Sequence, residues 1–576
     1  MSAAALPAGG PVDRLLRGGH VLTLDGAGRS AEAIALRGEH IVAVGGNAEL
    51  APLIGPATEV IELGGRSVMP GLIDGHAHLD REGLKGLLPS LAGCTSIRAL
   101  VARLKDIAAA TPPGRWIVTM PLGEAPEYAL SPQMFEEGRL PDRHDLDAAT
   151  REHPLLIRCA WGYWPGVLPT VSIANSAALE LAGVRCGTLS PSPKLVIEAD
   201  ANGEPTGRLF EHSFQPLAEF TLFRVAPHFV ADDRLRTLEA SMRAYNAVGT
   251  TGVFEGHGAA GEVIDAWRRV RDAGRSTLRG HLVLSPGFSG ASVADVAQWV
   301  AREAPRLRRK AGVDGGGAAG DDDWLHLEGM FAEAQVDPDE ARLRARCAPQ
   351  TGWAGFNYDA GLPPAQLRAL LHAAAREGLR VCAIQSAMAD LFIDVARETP
   401  IDGLRWVIAH PATLAARQIA GIAANGIGVT VLTNAYIWRS ASAVRARIGA
   451  ARENEICPIA SLLAAAVPVA LATDNVPITL WPCIWHATER IDRASGAVIA
   501  PDQRVSREAA LRCATVHGAW LCGDEGRRGT LEPGRLADLI VLPQNPLAMP
   551  AARLPAMRPD ITIAGGRVVW PERVPA

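Results

Sequence analysis

The chain has 576 residues, 48% of them hydrophobic and 21% charged, and a formal net charge of −5. That length exceeds what one hydrophobic core serves, so a large domain with at least one smaller companion is expected. Balanced acid and base without a Lys/Arg stripe speak against a nucleic-acid partner. The nine cysteines are scattered with no CxxC pair, which fits a reducing cytoplasm better than a disulfide scaffold. No stretch approaches the ~20 uninterrupted apolar residues of a spanning helix, and MSAAALPAGGPVDR lacks a charged start followed by an apolar run. A soluble cytoplasmic protein with no membrane partner is expected.

Residues 13–66 read as short strands between turns, because LLRGGHVLTL, EAIALRGEHIVAVG and TEVIELGG carry β-branched alternation broken by Gly and Asn. The far end reads alike in ADLIVLPQNPL and ITIAGGRVVW. Residues 1–67 and 529–576 are therefore expected to form one small β-sandwich beside a central domain spanning 68–528. Two unrelated β elements are the alternative.

Eight apolar runs of strand length recur in the centre: SVMPGLIDGHAH, GTTGVFEGH, LRGHLVLSPG, DWLHLEGMF, LRVCAIQS, LRWVIAHPA, GIGVTVLTN and VPVALATDN. Segments between them, such as PPAQLRALLHAAAREG, place apolar residues at helical spacing. Eight buried strands alternating with helices predict a TIM (β/α)₈ barrel, with its active site at the strand C-termini. About 170 residues separate the first two runs, against ~30 for an ordinary β/α unit. A large insertion after the first strand, at about 82–245, is expected. The glycine-rich GGGAAGDDD at 315–323 reads as a surface excursion or as a loop over the barrel mouth.

The sharpest motif is GLIDGHAHLD. Residues i and i+2 of a strand point the same way, so His76 and His78 can present two imidazoles to one point while Ala77 faces the other side. Neutral imidazole suits a divalent transition metal. A lone HxH is weak evidence; one that ends an apolar strand is stronger.

VMPGLIDGHAHLD resembles the first-strand metal motif of the amidohydrolase superfamily, and GTLEPGRLADLIVL resembles its C-terminal return. SIANSAALELAG, GEPTGRLFEH and VALATDNVP are similar to segments of the family 3 branch, which includes N-acyl-D-amino-acid deacylases and N-substituted formamide deformylases. The resemblance implies that His76, His78, His410 and Asp474 bind metal, and that Asp474 also takes a proton from the attacking water. Read on its own, Asp474 could simply cap the turn that follows it.

Two positions depart from the family pattern. Cys382 in CAIQS stands where the fifth-strand histidine would fall; a thiolate can bind zinc, but a buried Cys is also an inert small hydrophobe. The fourth strand offers no lysine to bridge two metals, leaving Glu328 as the nearest anion, with His326 and Glu333 as alternatives within the uncertainty of register. One ion is favoured over two, zinc first, with Fe, Mn or Co as alternatives.

Gln385, Glu255, His257 and Trp161 are candidate substrate contacts; Glu255 and His257 could also be a spare ligand or loop residues. Asp80, Arg81 and Glu82 could orient the histidines. Trp161, Tyr163 and Trp164 form an aromatic cluster that is either core or pocket wall. The leading functional reading is metal-assisted hydrolysis of a non-peptide C–N bond in a small molecule: an amide, cyclic amide or N-acyl group. A ring deaminase, an ester or carbamate hydrolase, or a barrel that only binds its ligand are the competing readings. A homo-oligomer is common in such a family.

Overall fold

The eight predicted runs pair in chain order into one parallel sheet. In the computed structural model, which describes residues 10–125, 128, 131–160, 169–213, 215–288, 290–308, 323–335, 337–346 and 352–571, barrel strands one to eight are Leu72–Asp74, Thr250–Ala259, Arg279–Leu284, Leu325–Ala334, Val381–Ile384, Val407–Ala409, Gly428–Val431 and Val469–Leu471. Strand eight meets strand one through two backbone bonds, Gly75 N to Leu471 O and Asp474 N to His76 O, each 2.9 Å. Helices such as Gly261–Asp272, Val293–Leu307, Pro364–Arg376 and Ala387–Glu398 follow the strands.

Period-two alternation explains why these strands carry apolar residues on both faces. Leu72, Val253, Leu282, Val381, Ala383 and Ile408 face outward into a continuous core shared with the helices. Ile73, Phe254, Val283, Phe331, Cys382, Val407, Ala409 and Ala470 face inward and fill the barrel. Helix Val516–Cys522 closes the entry end, with Ala519, Leu521 and Cys522 in that interior cluster. Gly518 lets it approach: an added Cβ would lie 2.7 Å from the Cβ of Ile73.

The insertion has a five-stranded sheet of its own, in the order Leu195–Ala199, Pro205–Glu211, Thr170–Ala174, Leu155–Ile157, Ile117–Thr119. One face of it packs on helix Ile97–Ala109 through Ile97, Leu100 and Leu104. The other shares a core with Trp353, Phe356, Tyr358 and Val476, residues of loops that follow barrel strands four and eight. This contact sets the insertion over the barrel mouth.

The chain ends meet. Strand Leu539–Leu542 pairs antiparallel with Ser67–Pro70 inside a six-stranded sheet, and a four-stranded sheet of residues 14–62 lies against it. Leu16, Ile34, Leu36 and Ile61 share one core with Val68, Leu539, Val541 and Ile563. Among the described residues no helix is long and apolar enough to cross a membrane. Most of the 315–323 glycine run and all of residues 161–168, with Trp161, Tyr163 and Trp164, lie outside the described residues.

Candidate metal centre

His76 and His78 follow strand one, His257 lies near the end of strand two, His410 follows strand six and Asp474 follows strand eight. Their side chains converge at the C-terminal rim. The His76 ring centroid is 4.8 Å from that of His410, 5.2 Å from His78 and 6.0 Å from His257; His78 and His257 are 5.5 Å apart. Asp474 Oδ1 lies 3.1 Å from His78 Nε2. One ligand atom from each of His76, His78 and His257 lies within 4.8 Å of the others.

The backbone bends sharply to aim these groups. His410 (φ +39°), Asp474 (φ +52°) and Asn475 (φ +62°) all adopt left-handed conformations, each of which costs about 1–3 kcal/mol and persists where surrounding contacts over-determine it. Those contacts are present. Asn475 Oδ1 accepts from His78 N at 2.9 Å and from Tyr245 Oη at 2.6 Å, while its amide donates to His78 O. Asp74 accepts from Thr473 N at 3.0 Å, from the Thr473 hydroxyl and from His76 N at 3.2 Å; burial raises its carboxyl to about 6. Glu255 Oε1 accepts from Leu79 N at 2.8 Å and its other oxygen lies 4.0 Å from His78 Nδ1. Burial pushes Glu255 up to about 8. Asn475, Tyr245 and Asp74 were not singled out in the sequence, although Asn475 directly follows Asp474 and Asp74 lies within the HxH segment.

Burial holds His76, His78 and His410 below the ordinary imidazole range, and for His76 the neighbouring imidazoles of His410 and His78 add to this. Neutral rings keep a lone pair for a cation. Both ring nitrogens of His76 and Nδ1 of His410 are buried without a hydrogen-bond partner among the described residues. Leaving such groups unsatisfied costs about 1–3 kcal/mol each, and a divalent ion is the partner that several imidazoles and a carboxylate suit. The donor set fits a metal.

Glu328 is not brought to this cluster. The sequence run DWLHLEGMF stops at Phe331, but strand four continues to Ala334, so Glu328 is its fourth residue and sits in its lower half. There it stands 3.9 Å from His326 Nδ1 and partly offsets the burial of Arg380. Glu333 is the strand-end carboxylate, near Gly361. Cys382 lies in the apolar interior, where burial pushes its thiol up to about 12; a protonated thiol is a poor ligand. Gln385 is exposed at the end of strand five with φ +76°. Asp80 pairs with the fully buried Arg234, Arg81 donates to Ala354 O at 2.8 and 3.1 Å, and Glu82 pairs with Lys85 at 2.6 Å. Arg81 directly, and Asp80 through Arg234, fasten the loop after strand four.

His326 belongs to a second group, with His281 and Asp524, at the entry end of the barrel. Arg528 fills it: Nη2 lies 2.8 Å from His281 Nε2, and Nε donates to Asp524 Oδ2 at 2.8 Å. An added Cβ on Gly252 would lie 2.2 Å from Arg528 Nη1, so this glycine leaves room for the guanidinium. The protein supplies its own cation there.

A parallel eight-stranded barrel with imidazoles and a carboxylate at its C-terminal rim has the form of a metal-dependent hydrolase. Residues 59–570 match the amidohydrolase family, and the chain belongs to it. It is a metal-dependent hydrolase acting on carbon–nitrogen bonds other than peptide bonds. The chain is similar to the N-substituted formamide deformylase of Arthrobacter pascens, at 27% identity over 559 residues covering 93% of this chain and 94% of that protein. It is also similar to Protein LONG AFTER FAR-RED 3 of Arabidopsis thaliana, at 25% identity over 562 residues covering 94% and 88%. In fold it resembles the crystal structure of an uncharacterized metal-dependent hydrolase from Pyrococcus horikoshii OT3, with a TM-score of 0.65 at 20% identity, covering 94% of this chain and 99% of that one.

Proposed function

We propose that the chain hydrolyses the N-acyl or N-formyl bond of a small amide, using one divalent cation, zinc first, held by His76, His78, His410 and Asp474. The observation that carries this reading is the convergence of buried neutral imidazoles, with unsatisfied nitrogens on His76 and His410, beside the Asp474 carboxylate. The 27% identical relative is named as an N-substituted formamide deformylase, which supports an acyl or formyl substrate.

A bound cation supplies Lewis acidity and lowers the pKa of water from about 15.7 to about 7. Asp474 accepts the proton that the attacking water loses and returns it to the nitrogen as the C–N bond breaks, so amide and water give carboxylic acid and amine. Asn475 and Asp74 hold the backbone on either side of that carboxylate and of His78. Glu255 fixes the segment that follows His78. The insertion, packed on Trp353, Phe356 and Tyr358, shields the mouth from bulk water and selects the substituent on nitrogen. The two sheets built from the chain ends, with their common core, are read as a β-sandwich of residues 1–67 and 529–576 beside the barrel.

The test is a screen of N-formyl amines, N-acyl amino acids, cyclic imides and aryl amides with metal-loaded protein, following release of free amine. Amine and carboxylate in equal amounts support the reading. Hydrolysis of esters or ring deamination without amide cleavage overturns it.

A further inference from the structure

Strand two does not keep its alternation to the rim. Phe254 faces inward, so Gly256 shares that face and His257 would turn outward toward the helices. The pairing with strand three breaks at this point: Glu255 pairs with Leu282 but Ala259 pairs with Leu284, so four residues of strand two advance against two of strand three. Gly258 takes up the excess at φ +81°. Such a bulge re-aims side chains, and here it swings His257 into the barrel mouth.

Two aromatic rings then fix the imidazole. Phe356 stacks on it at 4.1 Å with an interplanar angle of 8°, and inward-facing Phe331 stacks at 4.6 Å and 30°. Its edge faces His76 and His78, and one nitrogen from each of the three lies within 4.8 Å of the others. Strand five offers nothing comparable, because Cys382 lies in the apolar interior.

Resting on the metal-dependent reading above, we propose that His257, delivered by the strand-two bulge and held between Phe331 and Phe356, is a further ligand of the metal rather than a substrate contact. Phe356 comes from the loop that Arg81 and Arg234 fasten through Ala354 O and Gly352 O, so that loop positions a ligand.

The experiment compares wild type, His257→Phe, His257→Gln and Cys382→Ala. The phenylalanine keeps a flat, slightly larger ring between Phe331 and Phe356 and removes both nitrogens; the glutamine variant serves if the phenylalanine protein does not fold. Zinc affinity is measured by competition with a chromophoric chelator, and the cobalt-loaded proteins are compared by visible absorption. The expected result is at least a tenfold loss of zinc affinity and an altered cobalt spectrum in the folded His257 variant, with Cys382→Ala matching wild type. Wild-type affinity and spectrum in a folded His257 variant would overturn the assignment while leaving the metal reading intact. A wild-type protein that takes up no ion would overturn both.

Discussion

A Cβ built on Gly256 would stand 2.7 Å from Nδ1 of His76. Gly256 occupies the inward position one step above Phe254, and only the missing side chain leaves space for the imidazole. Its φ is not in the left-handed region, so the constraint is one of volume rather than backbone conformation. Gly256→Ala is expected to displace His76 and weaken zinc binding at least tenfold, with a far-ultraviolet spectrum like that of wild type. Chelator competition on the purified variant checks it.

In the proposed reaction Asp474 shuttles the proton and His76 is a ligand. Asp474→Asn is expected to lower kcat about 10³-fold, within the range for general acid–base groups, while largely keeping its metal. His76→Ala should lose both. Metal analysis alongside amine-release kinetics separates the two effects, and full activity of Asp474→Asn would remove the shuttle from Asp474.

Because Glu328 stands in the lower half of strand four, beside His326 and Arg380, Glu328→Ala should leave metal content unchanged. Its effect should fall on stability, through the loss of a carboxylate that offsets a buried guanidinium. Metal content and chemical denaturation of the same preparation decide between a ligand and a structural role.

The buried pair of Arg234 and Asp80, joined by Glu262 at 3.0 Å, holds the Gly352 carbonyl and with it the loop over His257. Arg234→Ala deprives the buried Asp80 of its guanidinium partner and is expected to cost about 3–5 kcal/mol. Faster proteolysis within 352–358, together with the drop in unfolding free energy, would show that the loop is what the pair secures.

Glu211 in the insertion accepts from Ser172 Oγ at 2.8 Å and Ala218 N at 3.1 Å, yet burial raises it from 4.5 to about 7. A carboxyl raised in the folded state contributes stability that is complete below pH 4.5 and is lost as pH rises through about 7. Glu211→Gln should remove this loss. The variant's melting temperature relative to wild type is expected to climb between pH 4.5 and 7 and then level off.

The barrel was legible because each of its eight runs is apolar on both faces, which marks a strand covered inside and out. His76, His78, His410 and Asp474 follow such runs directly, so the position of a run places the side chain. Glu328 sits lower on strand four than the run suggests, because that strand extends three residues beyond its obvious apolar stretch. His257 was ambiguous because a bulge, invisible to alternation, reverses its facing. Two strands of the insertion's sheet are hard to read for another reason: Ile117–Thr119 and Leu155–Ile157 are three residues each, too short to show a period.

Of the two backbone bonds described between strands one and eight, one runs from the amide of Asp474 to the carbonyl of His76. The line along which the cylinder is stitched shut therefore passes through two of the proposed ligands. Any breathing at that stitch pulls the imidazole and the carboxylate apart, and an occupied centre clamps it. Deuterium uptake at the Asp474 and Gly75 amides thus serves as a gauge of occupancy, slow in loaded protein and faster once a chelator has stripped it.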